Sequence, residues 1–276
     1  ITHHNYTVVN VINPESKVKV LLCGHIDEIG LCINDINSDG TCKVERIGGI
    51  KPYVYIGQHV NVVKKDGSIV PGVIGYVPNL NKGGLDTSDL ILDLGTDSKE
   101  ETKQLVSIGD AVVFASEYRF LANNKLTGRA LDDKLGAYIC LEALKKVKAA
   151  KSTNGVYAAT TVGEETTGRG AKMAADLVNP TMAIVVDVTF AVDVNYRDNP
   201  RGEARLGKGP VITVGSTMND ELHRLMLESI ERQNLNYQVE VAPSSTYTDV
   251  DSIYHRQNGI PTYLISIPLR YMHSAV

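Results

Sequence analysis

Between about Ile33 and Asn124 the chain consists almost entirely of short β-type runs, whereas strands and helices alternate on both sides of that stretch. This change of texture limits the possible folds more than any other feature. Within it, the runs CKVERIGGI, QHVNVVKKDGSIVPGVIGYV, LILDLG and DAVVFASEY are separated by turn signals such as Asp66-Gly67. Only SKEETKQL suggests a helical turn or two. In the flanks, LDDKLGAYICLEALKKVK carries Leu131, Leu135, Tyr138, Leu141 and Leu144 at helical spacing. Its acids lie at the start and its lysines at the end, as the helix dipole favours. KVKVLLCG, GVYAATTVG, AIVVDVT and IPTYLISIP read as strands, and TGRGAKMAADLV and DELHRLMLESIERQ as helices. Such alternation predicts an α/β layered sheet. The expected organisation is an α/β domain formed by residues 1–32 and 125–276, with a β-rich insertion at 33–124.

The net charge of -4 over 276 residues gives no support to a nucleic-acid partner. No apolar run approaches the ~18 residues that a membrane span needs, and no signal peptide is visible. Cys23, Cys32, Cys42 and Cys140 show no CxxC spacing, which predicts reduced thiols and a cytoplasmic protein. His3 and His4 are read as part of a frayed terminus rather than as a metal site. Both ends look trimmed, so a fragment or a processed chain is expected.

Polar clusters recur at one kind of place, the carboxyl end of an apolar strand or the start of a helix. They are His25 and Asp27, Asp132 and Asp133, Glu164 and Glu165, Asp187, and His273. Ligands of open α/β sheets bind beyond the carboxyl ends of the strands. Each cluster alone has a simpler account. Asp132 and Asp133 can cap a helix, Glu164 and Glu165 can be solvated, Asp187 can cap a turn, and His273 can be a core histidine. His25 and Asp27 lie two apart, so in extended chain they share a face, and an Asp beside a His can fix the imidazole tautomer. Glu28 is assigned to the following turn. Together, two histidines and several carboxylates without a cysteine suit zinc, cobalt or manganese. A shared carboxylate can hold two metals, with one further acid left as general base.

The segments GHIDEIG, GRALDDKLG, TVGEETTGRGA, VVDVT, LGKGP, Thr248-Asp249 and IPLRYMHS resemble, in this order, the TET-type dinuclear metallo-aminopeptidases, the group of glutamyl and deblocking aminopeptidases. The resemblance runs from Leu21 to the C-terminus. It implies a mixed-sheet, zinc-peptidase-like catalytic domain with an inserted small β-barrel dimerisation domain. It makes His25 and Asp187 ligands of one metal, Glu165 and His273 ligands of the second, and Asp132 the bridge. Asp27 would orient His25, Glu164 would be the general base, the Asp132–Asp133 bond would be cis, and Thr248 and Asp249 would lie at the substrate. Two divalent metal ions per chain are implied, zinc first, with cobalt or manganese as alternatives. Peptide substrates and a homo-oligomer follow too, a dimer or a tetrahedral dodecamer, with no nucleic acid and no membrane. The strands from Val60 to Val77 are expected to need covered edges, favouring self-association. Alternatives are another amide hydrolase on this scaffold (a carboxypeptidase or deacylase), a metal-free glycosidase with paired carboxylates, or a shell subunit without activity.

Overall fold

The computed structural model describes residues 7–76, 84–193 and 201–276. His3 and His4 lie outside the described residues, as does the whole run from Val194 to Pro200. The chain forms two compact units, Ile1–Asp27 with Asp132–Met272, and Glu28–Leu131 with His273–Val276.

The chain opens with β1 (Val8–Ile12) and β2 (Lys19–His25). Next come β3 (Gly30–Ile36), β4 (Cys42–Ile47), β5 (His59–Val63), β6 (Ile69–Tyr76), β7 (Leu90–Asp93), α1 (Lys99–Leu105), β8 (Ala111–Phe114), β9 (Arg119–Leu121) and β10 (Lys125–Thr127). Then follow α2 (Leu131–Ala149), β11 (Gly155–Thr161), α3 (Arg169–Val178), β12 (Met182–Phe190), β13 (Val211–Val214), α4 (Asp220–Gln233), β14 (Gln238–Val241), α5 (Asp249–Ile253) and β15 (Thr262–Leu269).

The first unit is a sheet of order β1-β11-β2-β12-β15-β13-β14. Its centre, β11, β2, β12 and β15, is parallel, while β1 and β13 run antiparallel to their inner neighbours. Parallel strands covered on both faces read as continuous apolar runs. Accordingly Leu21, Cys23, Ala159 and Val185 pack with Ala171, Ala174, Val250 and Ile253 of α3 and α5. Leu22, Val156, Ala158 and Val186 pack with Cys140 and Leu144 of α2. The helix is where the sequence predicts it, but its buried face shares only Leu144 with the Leu/Tyr stripe. Gly136, Ala137, Cys140 and Leu144 are buried and Tyr138 is exposed. The cause is close approach, since a Cβ on Gly24 of β2 would meet the Ala137 nitrogen at 2.3 Å. Only small side chains fit where Gly24 meets Gly136 and Ala137.

The second unit is a closed barrel, β3-β4-β7-β6-β5-β8, with β9 and β10 as a separate hairpin. Leu31, Ile33, Val44, Val60, Val62, Ile74, Leu92 and Val112 fill it, with the Tyr55 and Phe114 rings stacked at 4.1 Å. The edge argument drawn from the sequence is corrected here, because β5 pairs with β6 and β8, and β6 with β5 and β7. Closure leaves these strands no open edge. The unit also begins earlier and ends later than residues 33–124. β3 starts at Gly30, where a Cβ would stand 3.0 Å from the Val112 carbonyl oxygen of β8, and glycine permits that approach. All four cysteines are free thiols, three of them buried. Among the described residues no helix is long and apolar enough to cross a membrane.

Candidate metal centre

β2 ends at His25, which stands in register with Thr161, the end of β11. Asp187 lies in β12, the other neighbour of β2. The parallel centre of the sheet thus delivers these groups to its carboxyl edge. His25 is 2% exposed. Its Nε2 is 3.1 Å from Asp132 Oδ1, 3.8 Å from Glu164 Oε2 and 3.9 Å from Asp187 Oδ1. Candidate ligand atoms of His25, Asp132 and Glu165 lie within 4.8 Å of one another, and so do those of His25, Asp133 and Asp187.

The His25 Nδ1 is 3.1 Å from the main-chain carbonyl of Asp27 and 3.7 Å from its carboxylate. A carbonyl only accepts, so Nδ1 carries a proton and Nε2 is the nitrogen turned toward the acids. The expected orienting contact therefore runs chiefly through the main chain of Asp27. The Asp27 carboxylate instead accepts hydrogen bonds from the Gly163 and Glu164 amides, at 2.7 and 3.2 Å, and fastens the loop that carries Glu164 and Glu165.

The Asp132–Asp133 peptide is cis, as the resemblance implies. Asp133, given no role of its own in the sequence, is fully buried and accepts from the amides of His25 (3.2 Å) and Gly136 (3.1 Å). It ties the end of β2 to the start of α2. A signal for it was present, an Asp followed three residues later by a glycine, where a Cβ would stand 2.4 Å from the Asp133 carboxylate.

Burial disfavours every charge in this cluster. Burial lowers the affinity of His25 for its proton, but the Asp132 hydrogen bond and the charges of Asp187, Asp132 and Asp133 outweigh it and push the pKa up to about 12. Burial, aided by neighbouring acids, pushes Asp133 and Glu164 up to about 8 and Asp187 well above the carboxylate range. One imidazole faces too many acids. That surplus of buried oxygen donors around one nitrogen fits divalent cations.

Thr248 and Asp249, expected at the substrate, are both buried. The Thr248 side chain caps α5 by accepting from the Val250 amide at 3.2 Å. Asp249 Oδ2 accepts from the Thr161 hydroxyl at 2.5 Å, and burial pushes its pKa up to about 6. They brace the strand end beside the carboxylates. Glu28 holds Arg129 in the barrel unit, at 3.1 and 3.3 Å. His273 also belongs to the barrel unit, where its Nδ1 is 3.0 Å from the Gly49 carbonyl oxygen.

The model of the M42 glutamyl aminopeptidase family matches residues 7–276. The chain is 34% identical over 269 residues to a lysyl aminopeptidase of Pyrococcus furiosus, a match spanning 95% of this chain and 76% of the relative. An aminopeptidase structure from the archaeon Desulfurococcus kamchatkensis has a TM-score of 0.91 at 32% identity, covering 100% of this chain and 79% of that one. The structure of the Pyrococcus horikoshii TET1 peptidase, which can assemble into a tetrahedron or a large octahedral shell, has a TM-score of 0.87 at 30% identity, covering 100% of this chain and 82% of that one. With the strand-end cluster in place, the match over nearly its whole length makes this chain a member of the M42 glutamyl aminopeptidase family, an aminopeptidase that hydrolyses peptide bonds.

Proposed function

We propose that the chain is a dinuclear metallo-aminopeptidase that removes N-terminal residues from peptides. The observation that carries this reading is the convergence of Asp132, Glu164 and Asp187 within 3.9 Å of the buried His25 Nε2. His25 and Asp187 would hold one cation, Glu165 and His273 the other, and Asp132 would bridge. The contact of His273 Nδ1 with the Gly49 carbonyl supports this role, since it leaves the Nε2 lone pair as the coordinating one. Divalent cations bound there, zinc first and cobalt or manganese as alternatives, would supply Lewis acidity and lower the pKa of a coordinated water.

Glu164 is the general base. Its loop is pinned by Asp27, and burial raises its pKa to about 8, within reach of neutral pH. It takes the proton of the attacking water and passes it to the leaving amine. Asp133 and Asp27 move no proton; they hold His25 and the Glu164 loop in place.

The barrel is proposed as the dimerisation module of a homo-oligomer, up to a tetrahedral dodecamer. Ile69 and Val73 are exposed on the outer face of β6 and support a contact there. The free, mostly buried thiols support a cytoplasmic location.

The test is elemental analysis of metal-saturated protein combined with rates on aminoacyl amides and N-acetylated peptides, before and after chelation. Two tightly held divalent ions and chelator-sensitive release from free N-termini only are expected. Cleavage of N-acetylated substrates would favour the carboxypeptidase or deacylase alternative. Activity that survives chelation would sink the metal-dependent reading.

A further inference from the structure

Tyr247 has a backbone conformation that its residue type does not favour. Its φ is +56°, in the left-handed region, where a bulky side chain is an outlier and glycine or asparagine sits without strain. The main chain is nevertheless held there firmly. Asp251 accepts from the amides of Thr246 (3.0 Å) and Tyr247 (2.8 Å) and from the Thr246 hydroxyl (2.7 Å). The ring gains little burial in return, for Tyr247 is 80% exposed. Strain that neither burial nor residue preference explains points to a use for the side chain.

The location identifies the use. Two residues on, Asp249 is hydrogen-bonded to Thr161, which stands in register with His25. Two residues of chain span at most ~7 Å, so the Tyr247 backbone lies close to the carboxyl edge that holds the candidate centre. One face of the ring is taken by the Arg201 guanidinium, 5.0 Å from its centroid. That guanidinium points donors at main-chain oxygens, Nη1 at Thr246 (2.9 Å) and Nη2 at Ser245 (3.3 Å). Arg201 therefore braces the loop and the ring, and does not aim these donors at an acidic substrate.

We infer that Tyr247 is a specificity-determining residue whose ring forms a wall for an apolar or aromatic side chain at the substrate's N-terminal position. This rests on the aminopeptidase reading above. An aromatic contact of this kind is worth roughly a tenfold change in affinity.

The test compares wild type, Tyr247→Gly and Tyr247→Phe on phenylalanyl, leucyl, glutamyl and lysyl anilides. In Tyr247→Gly the ratio of phenylalanyl to glutamyl kcat/KM should fall about tenfold, through KM rather than kcat. The melting temperature should hold or rise, because glycine relieves the strain at this φ. Tyr247→Phe should keep the ratio. An equal fall on all four substrates, no fall, or a selective loss on the glutamyl substrate would overturn the inference. A wild-type protein that cleaves none of the four counts against the aminopeptidase reading instead. Calorimetric titration with L-phenylalanine then carries the test: binding weakened about tenfold in Tyr247→Gly supports the wall, and equal binding or no binding by wild type overturns it.

Discussion

The two units bury different kinds of polar group. In the barrel the interior is aliphatic and aromatic, and the buried polar side chains are Thr87, Thr102 and Asp110. Those groups have ordinary partners, for example the Thr102 hydroxyl on the Gly40 carbonyl at 2.7 Å, and the Asp110 carboxylate on the Ser107 amide at 2.8 Å. The sheet unit buries His25, Asp133, Asp187, Glu240 and Asp249. Glu240 is satisfied by the hydroxyls of Thr189, Thr213 and Ser266, at 2.6, 2.9 and 2.7 Å. Asp133 and Asp187 crowd around His25, and Asp249 takes the Thr161 hydroxyl. Among the described residues the barrel thus buries no crowded set of charges, while the carboxyl edge of the sheet calls for positive charge from outside. Function collects where folding alone leaves charges uncompensated.

The largest effect should come from Glu164→Gln, which keeps size but cannot take a proton. A loss of ~10²–10⁴ in kcat is expected, with metal content unchanged by elemental analysis. Glu165→Gln should instead lose one cation. If Glu164→Gln sheds metal and Glu165→Gln stays saturated, the two roles are reversed. The matching change in the other unit is Leu31→Ala, at a fully buried barrel position. It should destabilise by about 2–5 kcal/mol in denaturant titration, equally with and without chelator. A metal-dependent loss at Leu31 would show that the barrel is not complete by itself.

Sequence patterning revealed elements whose period matches their burial. α4 begins and ends where DELHRLMLESIERQ does, and the central strands read as continuous apolar runs because both faces are covered. β1 and the short β13 and β14 were missed, since runs of four or five residues carry little periodicity. Close packing against β2 fills much of the buried face of α2 with Gly136, Ala137 and Cys140, which a search for large apolar residues overlooks. At the site, the residue types and their strand-end placement were legible. The loop-fastening contact of the Asp27 carboxylate and the roles of Asp133 and Thr161 were not, because each involves a main-chain contact or a partner distant in sequence.

Metal removal tests the same contrast through pH. Asp133 and Glu164 are raised from 3.8 and 4.5 to about 8, so the fold keeps protons that the unfolded chain has released. Their contribution is present below about pH 4 and is lost as pH rises to 8. His25, raised from 6.5 to about 12, acts in the same direction, its contribution fading above 6.5. The chelated protein should therefore lose stability between pH 5 and 9. Cation at ~100 times its Kd should restore about 2.7 kcal/mol, most visibly at pH 8–9, where a shift of several degrees in Tm is expected. A chelated protein whose Tm is flat or rises over that range would contradict the charge surplus.

The smallest effect expected, and the sharpest, concerns a single hydroxyl. Thr161 donates to Asp249 Oδ2 at 2.5 Å, and Asp249 Oδ1 has no hydrogen-bond partner among the described residues. Both side chains are buried, so Thr161→Val keeps the shape and removes the carboxylate's donor. A buried acceptor left unsatisfied costs about 1–3 kcal/mol. Thr102→Val in the barrel removes a donor from a neutral carbonyl, and should cost only about 0.5–1.5 kcal/mol. The two should also differ in pH response. Burial raises the Asp249 pKa to about 6 while the Thr161 hydrogen bond lowers it, so losing the hydroxyl raises it further. At pH 5 the carboxyl is already largely protonated and the hydroxyl matters less. At pH 8 the charged form must be held without its donor. The penalty of Thr161→Val should therefore grow from pH 5 to pH 8, while that of Thr102→Val stays level. Denaturant titrations of both variants at the two pH values check this. Equal penalties at both pH values for Thr161→Val would mean that Asp249 is not charged in the folded protein, and that the buried charge of the sheet unit is confined to the residues around His25.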